Sequence, residues 1–347
     1  MLRLNLGLLL ALFSFHSLAL EGFHFEHKDW EIACDNTGTC RMAGYGWHDV
    51  AYNAEEPSEP ISILFIREAG NKAIEGFIKI QYEHLEHDNA VIEDPTLWLN
   101  GKTLGKLAWQ EEEIYKLSAA QTERLLLELI GVPDIQIRGK LYGGDKTWFI
   151  SSTGSTAVMK KMDEFQQRLN TPTALVQKGK SDKPILAPQP VPTIKLLNPL
   201  MQNSSWVVEQ ILEENPGYAP RLALLKKAIS EDECSSLGAE GNSISVQQLS
   251  AERKLVGSWC NDDSLLYVLT DSAEKQVFWH STDYTEFEEG KLYGSYKMRG
   301  LGDCWLGKEA VWNGKQFIKS DEFSTGQCRG FNEGSWMLPT LVSEVIE

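Results

Sequence analysis

Six cysteines, at positions 34, 40, 234, 260, 304 and 328, all lie downstream of an apolar N-terminal stretch, and together these two features constrain the chain most. The stretch MLRLNLGLLLALFSFHSLAL carries one positive charge at Arg3, an apolar run from Leu4 through Phe15, and the small-x-small triplet Ser17-Leu18-Ala19. A charged start, a short apolar run and a small-residue site are the pattern of a secretory signal peptide, so residues 1–19 are expected to be removed after Ala19. The run is shorter than the roughly 20 residues a helix needs to cross the hydrocarbon core of a bilayer. An even number of cysteines in an exported chain reads as a disulfide framework. Pairing by proximity gives Cys34 with Cys40, Cys234 with Cys260 and Cys304 with Cys328, and the sequence leaves other connectivities open. No C-x-x-C occurs, which argues against a structural zinc site and against thioredoxin-like redox chemistry.

A chain of 347 residues with 42% hydrophobic residues can bury a core in each of two domains. Residues 20–176 read as an N-terminal α+β domain. SILFIREAGNKAIEGFIKIQY (62–82) places two β-rich runs around a Gly-Asn turn. LWLNGKTLGKL (97–107) holds Asn100-Gly101 between apolar runs, the strongest short-range hairpin signal, and GGDKT (143–147) reads as a hairpin turn. LSAAQTERLLLELIGV (117–132) predicts a helix with Ser118 as N-cap and Gln121 completing a capping box. STAVMKKMDEFQQRL (155–169) predicts a second helix, with Val158, Met162, Phe165 and Leu169 on one face. Residues 177–198 are proline-rich and read as an extended linker. From 199 to 347 the pattern predicts a helical pair, around 204–215 and 219–234, followed by antiparallel strands with a tight hairpin at Asn313-Gly314. The fold class is therefore α+β: two β-rich domains of antiparallel sheet with a few packed helices, stapled by disulfides.

The net charge of −16 makes nucleic acid an improbable partner, because such a chain is repelled by phosphate backbones. The histidine-rich stretch YEHLEHDN (82–89) offers His84, His87 and Asp88 as candidate metal ligands, and FHFEHKDW adds His24 and His27; the alternative is a solvated acidic-histidine surface. There is no G-x-S-x-G elbow and no phosphate-binding glycine loop. Acidic clusters such as Glu111, Glu112 and Glu113 read as solvated faces. Five tryptophans crowd the last third of the chain, and Trp305 and Trp336 are the candidates for an exposed aromatic binding surface. In CDNTGTCR (34–41), Asp35, Asn36 and Gly38 are turn formers, so the two cysteines close a short structural loop that is itself a candidate contact surface.

DWEIACDNTGTCRMAGY with FIREAG, then MDEFQQR and TALVQKG, then GDCWLGKEAVWNGKQF and CRGF, resemble the bacterial envelope family catalogued as domain of unknown function 1176. The resemblance runs along almost the whole expected mature chain. It implies an exported bacterial protein and supplies no catalytic residue and no cofactor. The expectation is a periplasmic, non-enzymatic binding or interaction module for an envelope protein or glycan, one version being an inhibitor of a periplasmic hydrolase, with no stable membrane insertion. The rival readings are a periplasmic metal-binding protein and an uncharacterised hydrolase.

Overall fold

A computed structural model describes residues 20–46, 59–82, 91–111, 113–197, 209–230, 232–261 and 264–347. Among the described residues antiparallel strands dominate, with three helices, α1 (Ala119–Glu128), α2 (Ser155–Phe165) and α3 (Tyr218–Ala228). The class is α+β with β-rich domains, as the residue pattern implies.

The first sheet has seven strands, in spatial order Phe23–His27, Trp30–Cys34, Cys40–Tyr45, Ile61–Arg67, Glu75–Ile80, Ile114–Lys116 and Ala108–Glu111. Its central strands are buried along nearly their whole length instead of at alternate positions. Both faces are covered, which is why the apolar runs there are continuous. On one face Trp30, Ile32, Met42, Ile63, Phe65 and Ile78 meet residues of α1, α2 and the second, four-stranded sheet. On the other, Ala33, Ala43, Tyr45 and Leu64 meet Phe331, Trp336 and Leu338, which arrive from the far end of the chain. A sheet with two apolar faces needs a covering layer on each.

The second sheet, ordered Gly144–Ile150, Ile135–Leu141, Glu93–Leu99 and Lys102–Lys106, is built from tight hairpins. Asn100-Gly101 and Tyr142-Gly143 both adopt positive φ at the two turn positions, the backbone that matches strand twist. At the start of α1, Ser118 Oγ accepts from Gln121 N and Gln121 Oε1 accepts from Ser118 N at 2.8 Å, completing the capping box. Helix α2 is fixed to the first sheet by a buried polar lock. The carboxylate of Asp163 accepts from Arg67 Nη1 at 3.0 Å and from the backbone amides of Leu175 (2.7 Å) and Val176 (3.1 Å). Burial lowers the Arg67 guanidinium to about 10, and the neighbouring Arg168 adds to that shift.

The expected linker is no loose tether. Although 177–192 form no strand or helix, Leu186 N donates to Gln166 O, Gly70 N donates to Leu186 O, and Gln189 N donates to Thr37 O, each at 3.0 Å. Thr193–Lys195 then pairs in parallel with Glu344–Ile346. Proline removes donors, so these residues lie against the first domain through the few amides they retain.

Two five-stranded sheets follow. One is ordered Glu209–Ile211, Ile244–Gln248, Arg253–Asn261, Ser264–Asp271 and Val277–Tyr284; the other Glu286–Glu288, Lys291–Lys297, Trp305–Trp312, Phe317–Ser324 and Leu338–Leu341. Helix α3 covers one face of the former, around Ile211, Val246, Val256 and Val268. The expected helix around 204–215 is corrected: Glu209–Ile211 is an edge strand, because pairing with Ile244–Val246 buries Ile211, and 201–208 lie outside the described residues. The disulfides are Cys34–Cys40, Cys234–Cys260 and Cys304–Cys328.

Candidate functional site

A cleft of about 320 Å³ opens on the face of the Glu209–Tyr284 sheet opposite α3. Its volume lies at the lower end of the range for small-molecule sites, about 300–1,000 Å³. Strand alternation places every second side chain on this face, and register aligns them: Gln210 beside Ser245, Ser245 beside Gly257, Gly257 beside Tyr267, and Trp259 beside Leu265. Thr285, Glu286 and Phe287, at the start of the other sheet, form the facing wall. Gly257 is required by close approach. A Cβ there would lie 2.7 Å from Ser245 Oγ and 2.9 Å from the Tyr267 ring. Only the missing side chain lets both neighbours close over this strand.

The polar groups of the cleft are arranged asymmetrically. Ser243 Oγ donates to Gln210 Oε1 (2.8 Å), Ser245 Oγ to Gly257 O (3.2 Å), and Ser258 Oγ to Ser243 O (3.0 Å). Gln247 is only 4% exposed; its Nε2 donates to Gln248 O, while its Oε1 has no partner. A buried amide oxygen left unpaired costs about 1–3 kcal/mol, so it marks a place where a ligand donor would be stabilising. Trp259 is 45% exposed at this site. Burial, reinforced by the Glu286 charge, raises the Tyr267 phenol, which therefore stays protonated. No described lining residue is basic.

A second concavity, about 440 Å³, lies on the four-stranded sheet, where the Arg138 guanidinium stacks on Trp98 at 4.1 Å. Two of its charges have partners, Asp94 with Lys106 (2.6 Å) and Lys146 with Glu59 (2.8 Å).

Where the first sheet meets the chain's last segment, a buried cluster forms around Glu31. Its carboxylate bonds His24 Nε2 at 2.7 Å, accepts from the Tyr45 hydroxyl, and accepts from Gln327 N at 2.6 Å. The bond to Glu31 raises His24 above its ordinary value, against the opposing effect of burial. Burial above all, and then the Glu31 charge, pushes the Tyr45 phenol well up. Arg329 adds an ion pair to Asp29 at 2.8 Å. TGQCR (325–329) repeats the T-G-x-C-R of TGTCR (37–41), and Gln327 and Arg329 of this second copy bind residues 28–31, the segment that leads into the first.

The sequence-derived candidates distribute unevenly over these places. His84, His87 and Asp88 lie outside the described residues. His24 is tied to Glu31, and His27 is exposed at the end of the edge strand. Trp305 is half-buried, its Nε1 donating to Gly302 O at 2.8 Å beneath the Lys297 ammonium. Trp336 is corrected from surface to core: it is 8% exposed and its Nε1 donates to Ser62 Oγ at 2.8 Å, because it covers the second apolar face of the first sheet. The Cys34–Cys40 loop is likewise no free contact surface. Asp35 and Asn36 are buried, and Asn36 exchanges two hydrogen bonds with Val342, at 3.0 and 2.8 Å. Asp303 approaches Cys304 and Cys328, but those sulfurs are bonded to each other and Asp303 is held by Arg299 (2.7 Å) and Gly330 N (2.7 Å), so this group offers no metal donor set.

Gln247, Gly257 and Tyr267 were not singled out from sequence, and Trp259 stood there only as one of the five tryptophans of the last third. The available signal is SISVQQL (243–249), where Ser245 and Gln247 alternate with apolar Ile244, Val246 and Leu249; the strand pairs directly with Arg253–Asn261, which carries Trp259.

The family model described as "Protein of unknown function (DUF1176)" matches residues 24–343, nearly the whole chain. No curated protein and no solved structure matches it. The chain therefore belongs to the DUF1176 family. Three disulfides fit an exported protein, and no helix among the described residues is long and apolar enough to cross a membrane.

Proposed function

We propose that this member of the DUF1176 family is a periplasmic, non-enzymatic binding module that takes an envelope glycan in the cleft of the Glu209–Tyr284 sheet. The observation that carries the reading is the pairing of an exposed tryptophan, Trp259, with an unpartnered buried amide oxygen, Gln247 Oε1, in one concave site. A sugar ring offers a flat C–H face for stacking and hydroxyls at its edge, and the cleft provides a partner for each. The cleft supports binding over turnover. Glu286 is its single carboxylate among the described lining residues, whereas glycoside hydrolysis generally uses two. It also supports a small ligand over a protein partner, because the site is concave and the disulfide loop suited to inhibition is held inside the fold.

Isothermal titration with soluble fragments of envelope glycan tests this. The expected result is saturable binding that Trp259→Ala weakens roughly tenfold, the scale of losing one aromatic anchor. Absence of binding to every fragment, or equal binding by Trp259→Ala, would overturn it.

A further inference from the structure

We infer that the cleft is built for a hexosamine, a sugar unit whose nitrogen brings a donor to Gln247 Oε1 and Glu286; this rests on the glycan reading above. The inference comes from the direction in which the site's polar groups point. The hydroxyls of Ser243, Ser245 and Ser258, and the Nε2 of Gln247, all donate to acceptors of the protein itself. Thr285 Oγ1 does the same, donating to Tyr293 O at 3.3 Å. The acceptors left without a protein donor at the cleft are the solvent-excluded oxygen of Gln247 and the carboxylate of the exposed Glu286. A neutral hydroxyl has one hydrogen to donate, whereas an amine has two or three and, once protonated, carries the charge that complements a carboxylate.

Charge narrows the ligand further. No basic side chain lines the described part of the cleft, Glu286 is exposed at its wall, and the chain as a whole carries −16. A uronate, a sulfated sugar or a phosphorylated sugar would meet a like charge with nothing to neutralise it, and like-charge juxtaposition at an interface costs several kcal/mol. An ammonium or an amide N–H meets the reverse. Trp259 adds to the case, because a cationic sugar nitrogen is also attracted to an indole face. The burial of Tyr267 keeps its phenol protonated beside Glu286, so the carboxylate remains the only charge at this wall.

The test uses the full mature chain and three oligosaccharides of equal length: oligoglucosamine with free amines, its fully N-acetylated counterpart, and oligogalacturonate. Binding is measured by calorimetry at mildly acidic pH, where the amines are protonated. The expected order is amine first, acetylated second, and carboxylate weaker than the amine by roughly a hundredfold. Glu286→Gln should abolish the preference for amine over acetylated ligand, weakening amine binding roughly tenfold more than acetylated binding. If oligogalacturonate binds as tightly as the amine, the inference is overturned while the glycan reading stands. If none of the three binds, both fall. If Glu286→Gln keeps the full preference for amine, the preference belongs to the chain's overall charge and the assignment to this cleft is wrong.

Discussion

Replacing Asp163 by alanine should be the most destabilising polar substitution in the first domain. Its carboxylate is fully buried and holds three donors: Arg67 Nη1 at 3.0 Å and the amides of Leu175 and Val176 at 2.7 and 3.1 Å. Arg67 is itself only 4% exposed, so the substitution leaves a buried guanidinium without its counter-charge. Breaking a buried pair from one side costs about 3–5 kcal/mol, and each stranded amide adds about 1–3 kcal/mol where water does not reach it. These contributions overlap, and the net loss should be about 4 kcal/mol. Urea unfolding followed by far-ultraviolet circular dichroism reads this directly. With a denaturant slope of about 2 kcal/mol/M, the midpoint of the first domain should fall by roughly 2 M. Replacing both partners, Arg67→Met with Asp163→Leu, should recover most of the loss, since an apolar pair of similar volume leaves no charge behind. A loss below about 1 kcal/mol in Asp163→Ala, or a double variant as unstable as the sum of the two single ones, would refute the reasoning.

Burial, with the Glu309 charge behind it, raises the Asp321 carboxyl to about 6, and its Oδ1 has no partner. A folded-state value above the unfolded value of about 3.9 means that the Asp321 contribution is most favourable below pH ~4 and is lost as pH rises through about 6. Asp321→Asn should therefore be more stable than wild type at neutral pH by about 1 kcal/mol, after discounting for partial exposure, with no difference below pH ~4. Equal melting temperatures at both pH values would contradict this. His24 titrates in the raised direction because of its bond to Glu31, so its contribution is complete below the unfolded value of about 6.5 and is lost as pH climbs through the folded value. Nuclear magnetic resonance titration should place His24 above that unfolded value, and Glu31→Gln should bring it down; a His24 value insensitive to Glu31→Gln would sink the assignment. Removing Cys34–Cys40, with a sequence separation of 6, should cost about 2 kcal/mol, against about 3.5 kcal/mol for Cys304–Cys328, with a separation of 24. The reverse order in denaturant melts of the paired Cys→Ala variants would show that loop closure does not set these contributions.

The features legible in the sequence are those whose causes lie within a few residues. Asn100-Gly101 sets a hairpin by its backbone preference, and Ser118 with Gln121 caps α1 without help from the rest of the chain. The disulfides follow sequence proximity, since each joins residues at neighbouring strands or loops. What escaped are the arrangements fixed by distant partners. Trp336 looked like surface aromatic because the face it covers is 274 residues away at Ser62. Asn36 looked like a turn tip because its partner, Val342, lies 306 residues on. Glu209–Ile211 carries helix-forming residues, yet an open strand edge at Ile244–Val246 pairs with it, and tertiary pairing overrides weak propensity. The cleft was hidden for the same reason: Gln247, Gly257, Trp259 and Tyr267 mean nothing until three strands set them side by side.

The most direct measurement of the central claim is a backbone amide shift map of the ¹⁵N-labelled mature protein titrated with oligoglucosamine. The account predicts saturable changes centred on Ser245, Gln247, Gly257, Trp259, Tyr267 and Glu286, with the Trp259 indole N–H among the largest. Changes centred instead on the Trp98–Arg138 concavity or on the Glu31 cluster would contradict it, as would a titration that leaves these strands unmoved.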